Sequence, residues 1–310
     1  MSSKPAGFSE TLKAQLRLLV SVLPELREEG PLALKGGSAI NLFHQDLPRL
    51  SVDLDLVYLP SQPREAALEG IGAELERMAR RLESRRLTVQ RVRPAGSVHP
   101  LKLVVVVRGE ATIKLEVSPV LRGTVFGSEL RESQPFVTQQ YGYARVPLVS
   151  KSDLYAGKIM AALDRQHPRD LFDIRGLLQR GGLERPLMQA FLVYLISHDR
   201  PISEILNPHF KDLSGEFQTQ FVGLTREPVT LNELLDARAE LLRQVRTNLT
   251  PEDRAFLRSF KALEPRWDLL GLPEVEHLPA VRWKLFNLHK MSSRKHREAL
   301  EKLTRTLETF

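Results

Sequence analysis

The stretch from Leu34 to Leu59, LKGGSAINLFHQDLPRLSVDLDLVYL, constrains this chain more than any other. From Leu50 to Val57 the residues alternate: Leu50, Val52, Leu54 and Leu56 fall on one face of an extended strand, and Ser51, Asp53 and Asp55 on the other. The first face is apolar enough to be buried, so the second presents two carboxylates side by side. Like charges placed in this way repel unless a cation lies between them, and their hard oxygens suit Mg²⁺ better than softer metals. Upstream, Gly36, Gly37 and Ser38 precede a helical run from Ala39 to Phe43, so their backbone N–H groups and the helix N-terminus can face an anion such as a phosphate. Taken singly, a Gly-Gly-Ser is usually a turn and an Asp-x-Asp a solvated strand end. Taken together, they predict an anion and a divalent ion in one cleft.

The segment from Leu101 to Val120, LKLVVVVRGEATIKLEVSPV, reads as a hairpin turning at Arg108, Gly109 and Glu110. The near-continuous apolar run from Leu103 to Val107 suits a strand buried on both faces. In the returning strand Ile113, Leu115 and Val117 point one way, and Thr112, Lys114 and Glu116 the other. Glu116 is therefore a candidate to join Asp53 and Asp55 as a third carboxylate. The competing reading pairs it with Lys114 or Lys102 on an exposed sheet face.

From Ser150 to Leu178 the sequence predicts two helices. The first begins near Ser150–Asp153, where a Ser or Asp cap is available, and carries Lys158, Ala161, Ala162 and Arg165 on adjoining rows. Pro168 opens the second, in which Asp170 and Asp173 share a side while Leu171, Ile174, Leu177 and Leu178 form an apolar stripe. Simple intrahelical pairs, or acids favoured in a first turn by the helix dipole, are the competing account of these charges.

The order of a Gly-Gly-Ser turn, a helix and an Asp-x-Asp strand resembles the DNA polymerase β-like nucleotidyltransferases. Within that superfamily, GGSAINL followed by PRLSVDLDLVYLP resembles the AbiEii/AbiGii toxins of type IV toxin–antitoxin and abortive-infection systems. LLDARAELL and LPAVRWKLFNL are also similar to family segments, so the resemblance covers most of the chain. It implies an α/β (α+β) fold, a mixed sheet with flanking helices followed by a mostly helical C-terminal lobe. It also implies transfer of nucleotides from an NTP to RNA, at the acceptor end of tRNA, and a cognate antitoxin as partner. Members commonly use a third acid as the base toward the attacking hydroxyl, the role that would fall to Glu116. They carry a Lys on one helix and an Arg-Asp-x-x-Asp segment on the next, matched here by Lys158, Arg165, Arg169, Asp170 and Asp173. By that resemblance Lys158 contacts the triphosphate, and Asp173 positions it or a nearby base. Two Mg²⁺ ions on Asp53, Asp55 and Glu116 would drive an in-line displacement. Gly36, Gly37 and Ser38 would bind phosphate oxygens, and Arg49 and Ser51 would hold the acidic strand, or Arg49 reach a phosphate itself. Transfer to a protein or small molecule, and a non-catalytic nucleotide-binding module, are the alternatives.

Composition narrows the partner. The 310 residues suffice for two lobes, with an expected boundary at the Gly181–Gly182 pair: a transferase domain over 1–180 and a helical domain over 181–310. A formal net charge of +7 favours a polyanion. The segment from His277 to Arg297 concentrates that charge in Arg282, Lys284, Lys290, Arg294, Lys295 and Arg297, without an acid. It is a candidate RNA-binding run, or else a solvated face over a core of Leu278, Val281, Trp283, Leu285 and Leu288. The chain has 0 cysteines, which excludes disulfides and thiolate metal sites. With no membrane-length apolar run and no apolar core in MSSKPAGFSE, a cytoplasmic location is expected. Scattered histidines, including His198 beside Asp199, do not form a metal-hydrolase set, and neither a Walker loop nor a Gly-x-Ser-x-Gly elbow occurs. An N-terminal helix over 9–30, interrupted by Pro24, a helix over 64–86, and helix starts at Thr230 and Thr250 complete the expected organisation.

Overall fold

A computed structural model describes residues 8–107 and 109–309 and divides the chain into two compact units. The first comprises Met1–Ser150 with Phe221–Val229, the second Lys151–Gln220 with Thr230–Phe310. The boundary thus falls at Ser150, not near residue 180: the two helices expected to close the transferase domain pack instead with later helices in the second unit.

The first unit is built on a seven-stranded mixed sheet of order β3-β4-β5-β2-β1-β7-β6. Its strands are β1 (Leu32–Lys35), β2 (Asp53–Tyr58), β3 (Thr88–Val92), β4 (Lys102–Val107), β5 (Ala111–Val117), β6 (Ser128–Glu132) and β7 (Arg145–Val149). β2 runs parallel to β5 and β1 parallel to β7, and every other pairing is antiparallel. Among the described residues the helices of this unit are α1 (Glu10–Val22), α2 (Gly36–Ala39), α3 (Arg64–Ser84) and α4 (Pro135–Tyr141). Pro24 lacks the N–H that would extend α1, and a single tight turn, Leu23–Glu25, follows instead. α2 runs directly into a wider π-type turn, Ile40–His44. The core gathers Leu16 and Leu19 of α1, Leu54 and Leu56 of β2, Ile71, Leu75 and Met78 of α3, and Ile113 and Leu115 of β5, all buried.

The hairpin is formed as expected, with Lys102 opposite Glu116 and Val105 opposite Ile113, although Arg108 in its turn lies outside the described residues. β4 is not covered equally on its two faces: Leu103 and Val105 are fully buried, whereas Val104 and Val106 are half-buried. The apolar run from Leu103 to Val107 therefore marked a strand without marking its second face. β5 alternates as its sequence does, with Thr112, Lys114 and Glu116 on the exposed face.

Residues 221–229 strap the segment that leads into β2. Leu50 N–H donates to the Leu224 carbonyl at 2.8 Å, Arg226 N–H to Pro48 at 2.9 Å, and Arg49 bridges Thr225. The Arg226 guanidinium donates to the Asp46 carbonyl at 2.8 Å and lies 4.3 Å from the centroid of the Phe136 ring.

The second unit is helical: α5 (Lys151–Asp164), α6 (Pro168–Leu178), α7 (Arg185–Ser197), α8 (Ile202–Leu206), α9 (Ser214–Gln220), α10 (Leu231–Asn248), α11 (Pro251–Lys261), α12 (Trp267–Leu270), α13 (Pro279–His289) and α14 (Ser293–Glu308). α10 and α11 open on the capping boxes Thr230–Glu233 and Thr250–Asp253, in which each side chain bonds the other residue's backbone N–H. Leu171, Ile174 and Leu177 of α6, Phe191 of α7, and Leu234 and Leu241 of α10 are buried. Among the described residues no helix is long and apolar enough to cross a membrane.

Candidate active site

In the first unit the acidic strand and the glycine turn form one local structure. β2 buries Leu54 and Leu56 and exposes Asp53 and Asp55, as the alternation requires. Gly36 has φ +75°, the left-handed region that only glycine enters without cost, and a Cβ there would collide with the Asp55 carboxylate. A Cβ on Gly37 would stand 2.7 Å from Ser51 Oγ and 2.9 Å from Arg49 Nη2. The two glycines thus let the turn close down on the acidic strand. Ser38 fastens it: its hydroxyl donates to the Asp53 carbonyl at 2.5 Å, with the Ser51 carbonyl at 3.4 Å. Ser38 is fully buried, so its side chain locks turn to strand, and any anion contact at this position falls to backbone N–H groups. Arg49 is buried as well and donates to the Leu50 carbonyl at 2.8 Å.

Strand register supplies the neighbours of Asp55: Lys35 on the β1 side and Glu116 on the β5 side. The Glu116 carboxylate is exposed and meets the Lys102 ammonium at 2.9 Å. Among the described residues no group of three or more acidic or histidine side chains is placed to hold a metal ion. Asp53 and Asp55 fit a hard divalent ion as a pair of exposed carboxylates on one strand face, and Glu116 would have to leave Lys102 to complete the set.

Lys35 is a residue that sequence reading missed. Burial pulls its pKa below the ordinary lysine value, while Asp55 and Glu116 push it upward. The signal was available: Lys35 immediately precedes Gly36, and a β1–β2 antiparallel pair places it across from the second aspartate.

In the second unit the charged residues of α5 and α6 converge. Lys158 Nζ lies 2.8 Å from Asp170 Oδ1 and 3.0 Å from Asp173 Oδ2, and all three side chains are buried. Arg165 closes the group, with Nε 2.5 Å from Asp170 Oδ2 and Nη2 2.9 Å from Oδ1, a bidentate fork. Burial alone would raise the Asp170 pKa, but the charges of Lys158 and Arg165 outweigh it and hold the carboxyl well below the usual carboxylate range. Arg169 is exposed on the next turn. Nearby Tyr194 donates to Asp153 at 3.3 Å, and burial, reinforced by Asp153, pushes its phenol well above the ordinary value.

The basic run is divided between α13 and α14. Arg282, Lys290, Arg294, Lys295 and Arg297 are exposed. Lys284 is half-buried, and its ammonium donates to the backbone carbonyls of His198 and Asp199. Of the five apolar residues expected beneath the run, Val281 and Leu288 are buried, Leu278 and Leu285 are half-buried, and Trp283 is exposed.

A family model described as the nucleotidyl transferase AbiEii toxin of a type IV toxin–antitoxin system matches residues 17–287. Among solved structures, the chain is similar to the nucleotidyltransferase toxin MenT4 from Mycobacterium tuberculosis H37Rv, with 18% identity and a TM-score of 0.56. That similarity covers 94% of this chain and 92% of the other, and at such identity it shows a shared fold. No curated protein sequence matches the chain.

Proposed function

The chain belongs to the AbiEii nucleotidyltransferase toxin family, and we propose that it transfers nucleotides from an NTP to the acceptor end of tRNA, using Mg²⁺ held by Asp53 and Asp55, and so blocks translation. Family membership makes it a nucleotidyltransferase toxin of a type IV toxin–antitoxin system, for which an NTP is the donor and an antitoxin the partner. The observation that carries the site assignment is the seating of the Gly36–Ser38 turn against a strand whose exposed face bears both aspartates.

In this reading the terminal RNA hydroxyl attacks the α-phosphorus of the NTP. A new P–O bond forms, the bond to the bridging oxygen of the β-phosphate breaks, and pyrophosphate leaves. The hydroxyl proton passes to a carboxylate, for which Glu116 is the candidate once its Lys102 partner is displaced. Bound Mg²⁺ supplies charge neutralisation for the attacking and leaving oxygens. Backbone N–H groups of Gly36, Gly37 and Ser38 receive phosphate oxygens, while Arg49 and Ser51 keep β2 against the turn. Lys35, beside Asp55, adds positive charge on the turn side. The buried ion pairs fix Lys158 between Asp170 and Asp173 within the second unit, with Arg165 and Arg169 toward solvent. The absence of cysteine suits a reducing cytoplasm, where tRNA and NTPs are found.

The test is incubation of the purified protein with total tRNA, Mg²⁺ and each α-labelled NTP in turn, resolved on a denaturing gel. Label on tRNA from the wild type, and none from Asp55→Asn, is expected. Label confined to protein or a small molecule would move the acceptor to that class. Nucleotide binding without transfer under every condition would overturn the reading.

A further inference from the structure

Helix α13 displays an exposed aromatic pair, one member of which, Trp283, is a core candidate in sequence. Trp283 and Phe286 stand three residues apart, 55% and 46% exposed, with ring centroids 5.6 Å apart and planes inclined by 25°. Lys290 Nζ lies 4.0 Å from the Phe286 centroid, a cation–π contact. Exposed Arg282 precedes the pair on α13, and exposed Arg294 and Lys295 follow on α14. No acidic residue falls between Glu276 and Glu298.

We propose that Trp283 and Phe286 form a stacking platform for unpaired bases of the RNA acceptor, with Lys290, Arg294 and Lys295 holding the adjacent phosphates. This rests on RNA being the acceptor and adds where, and in what form, it is held. Exposed aromatic side chains between cations fit a strand whose bases are unstacked: π-faces bind bases of any sequence and the cations neutralise the backbone. A duplex offers neither free bases nor a gap for the rings. Cations predominate in the sequence flanking the pair, although Arg294 also meets Glu298 at 2.9 Å, and this excess of positive charge favours a polyanion over an ordinary protein surface; removing the rings costs limited packing because each is about half exposed.

The chain has 2 tryptophans, so Trp267→Phe leaves Trp283 as the sole tryptophan, read by selective excitation. In that background, titration with an RNA hairpin bearing an unpaired 3′ tail is expected to quench Trp283 fluorescence, whereas a blunt hairpin is not. Full-length Trp283→Ala should bind the tailed RNA about five- to a hundredfold more weakly, the range for losing one aromatic–base stack. Its salt dependence should be unchanged, while Arg294→Ala with Lys295→Ala should flatten that dependence. Trp283→Phe should restore most of the binding, which a purely structural role would not predict. Equal binding of tailed RNA by wild type and Trp283→Ala would overturn the platform and leave the RNA acceptor standing. Failure of the wild type to bind or label any RNA would remove the acceptor reading and the platform with it. Loss of binding to a protein partner alone, with RNA binding intact, would also overturn the proposal.

Discussion

Replacing Lys158 with methionine, which keeps the side chain's length and removes its charge, tests whether the α5–α6 ion cluster is a buried, mutually dependent unit. Lys158 is 7% exposed in its side chain, Asp170 1% and Asp173 0%. Asp170 keeps its fork from Arg165 in the variant, but Asp173 loses a lysine 3.0 Å away without reaching solvent. Removing one member of a buried pair costs about 3–5 kcal/mol, against under about 1 kcal/mol for an exposed pair. Both tryptophans, Trp267 and Trp283, lie in the second unit, so urea unfolding followed by intrinsic fluorescence reports on the unit that holds the cluster.

The expected loss has a pH signature. The Asp170 carboxyl is held below its ordinary range in the folded protein, so its pairing stabilises the fold at pH values above the unfolded carboxylate pKa of about 4. That contribution fades as pH falls through the lower, folded pKa. In Lys158→Met the Asp170 carboxyl loses one of the charges that kept it ionised and protonates more readily. The variant's deficit should therefore be largest above about pH 5 and shrink toward pH 3. A cost under about 1 kcal/mol at neutral pH, or a deficit independent of pH, would refute the reasoning.

Three further outcomes are expected. Asp53→Asn and Asp55→Asn should each lower nucleotide transfer by at least about a hundredfold, judged by initial rates, with melting temperatures within a few degrees of wild type because both side chains are exposed. Gly36→Ala should cost roughly 1 kcal/mol from its positive φ and also cripple transfer, because its Cβ would push the Asp55 carboxylate aside; full activity would place that carboxylate outside the chemistry. Lys284→Ala should destabilise the second unit in urea while leaving RNA affinity within about twofold, since its ammonium is engaged by two carbonyls, whereas Arg294→Ala should do the opposite.

The local patterns that sequence made legible are those in which period and chemistry coincide. The alternation through Asp53 and Asp55, the Ile113–Val117 strand, the Pro168 helix start and the capping residue Thr230 all appear as read. What escaped depends on contacts distant in sequence. Lys35 becomes a site residue only through its register with Asp55, and the 221–229 strap only through its bonds to Pro48 and Leu50. The unit boundary was drawn at two glycines because glycine ends helices, yet α5 and α6 join the second unit through burial against α7 and α10, which no local signal announces. One of the two readings of the basic run put Trp283 in a core, but spacing gives a face and not what covers it. Glu116 was legible further: its face was readable and Lys102 was one of two candidate partners, between which the β4–β5 register decides by putting Lys102 opposite.

The most direct test of the central claim is the intact mass of one purified tRNA after incubation with unlabelled NTPs, Mg²⁺ and either the wild type or Asp55→Asn. Mass increments of whole nucleoside monophosphates with the wild type alone are the predicted result. An unchanged tRNA mass with the wild type, or equal increments with Asp55→Asn, would contradict the account.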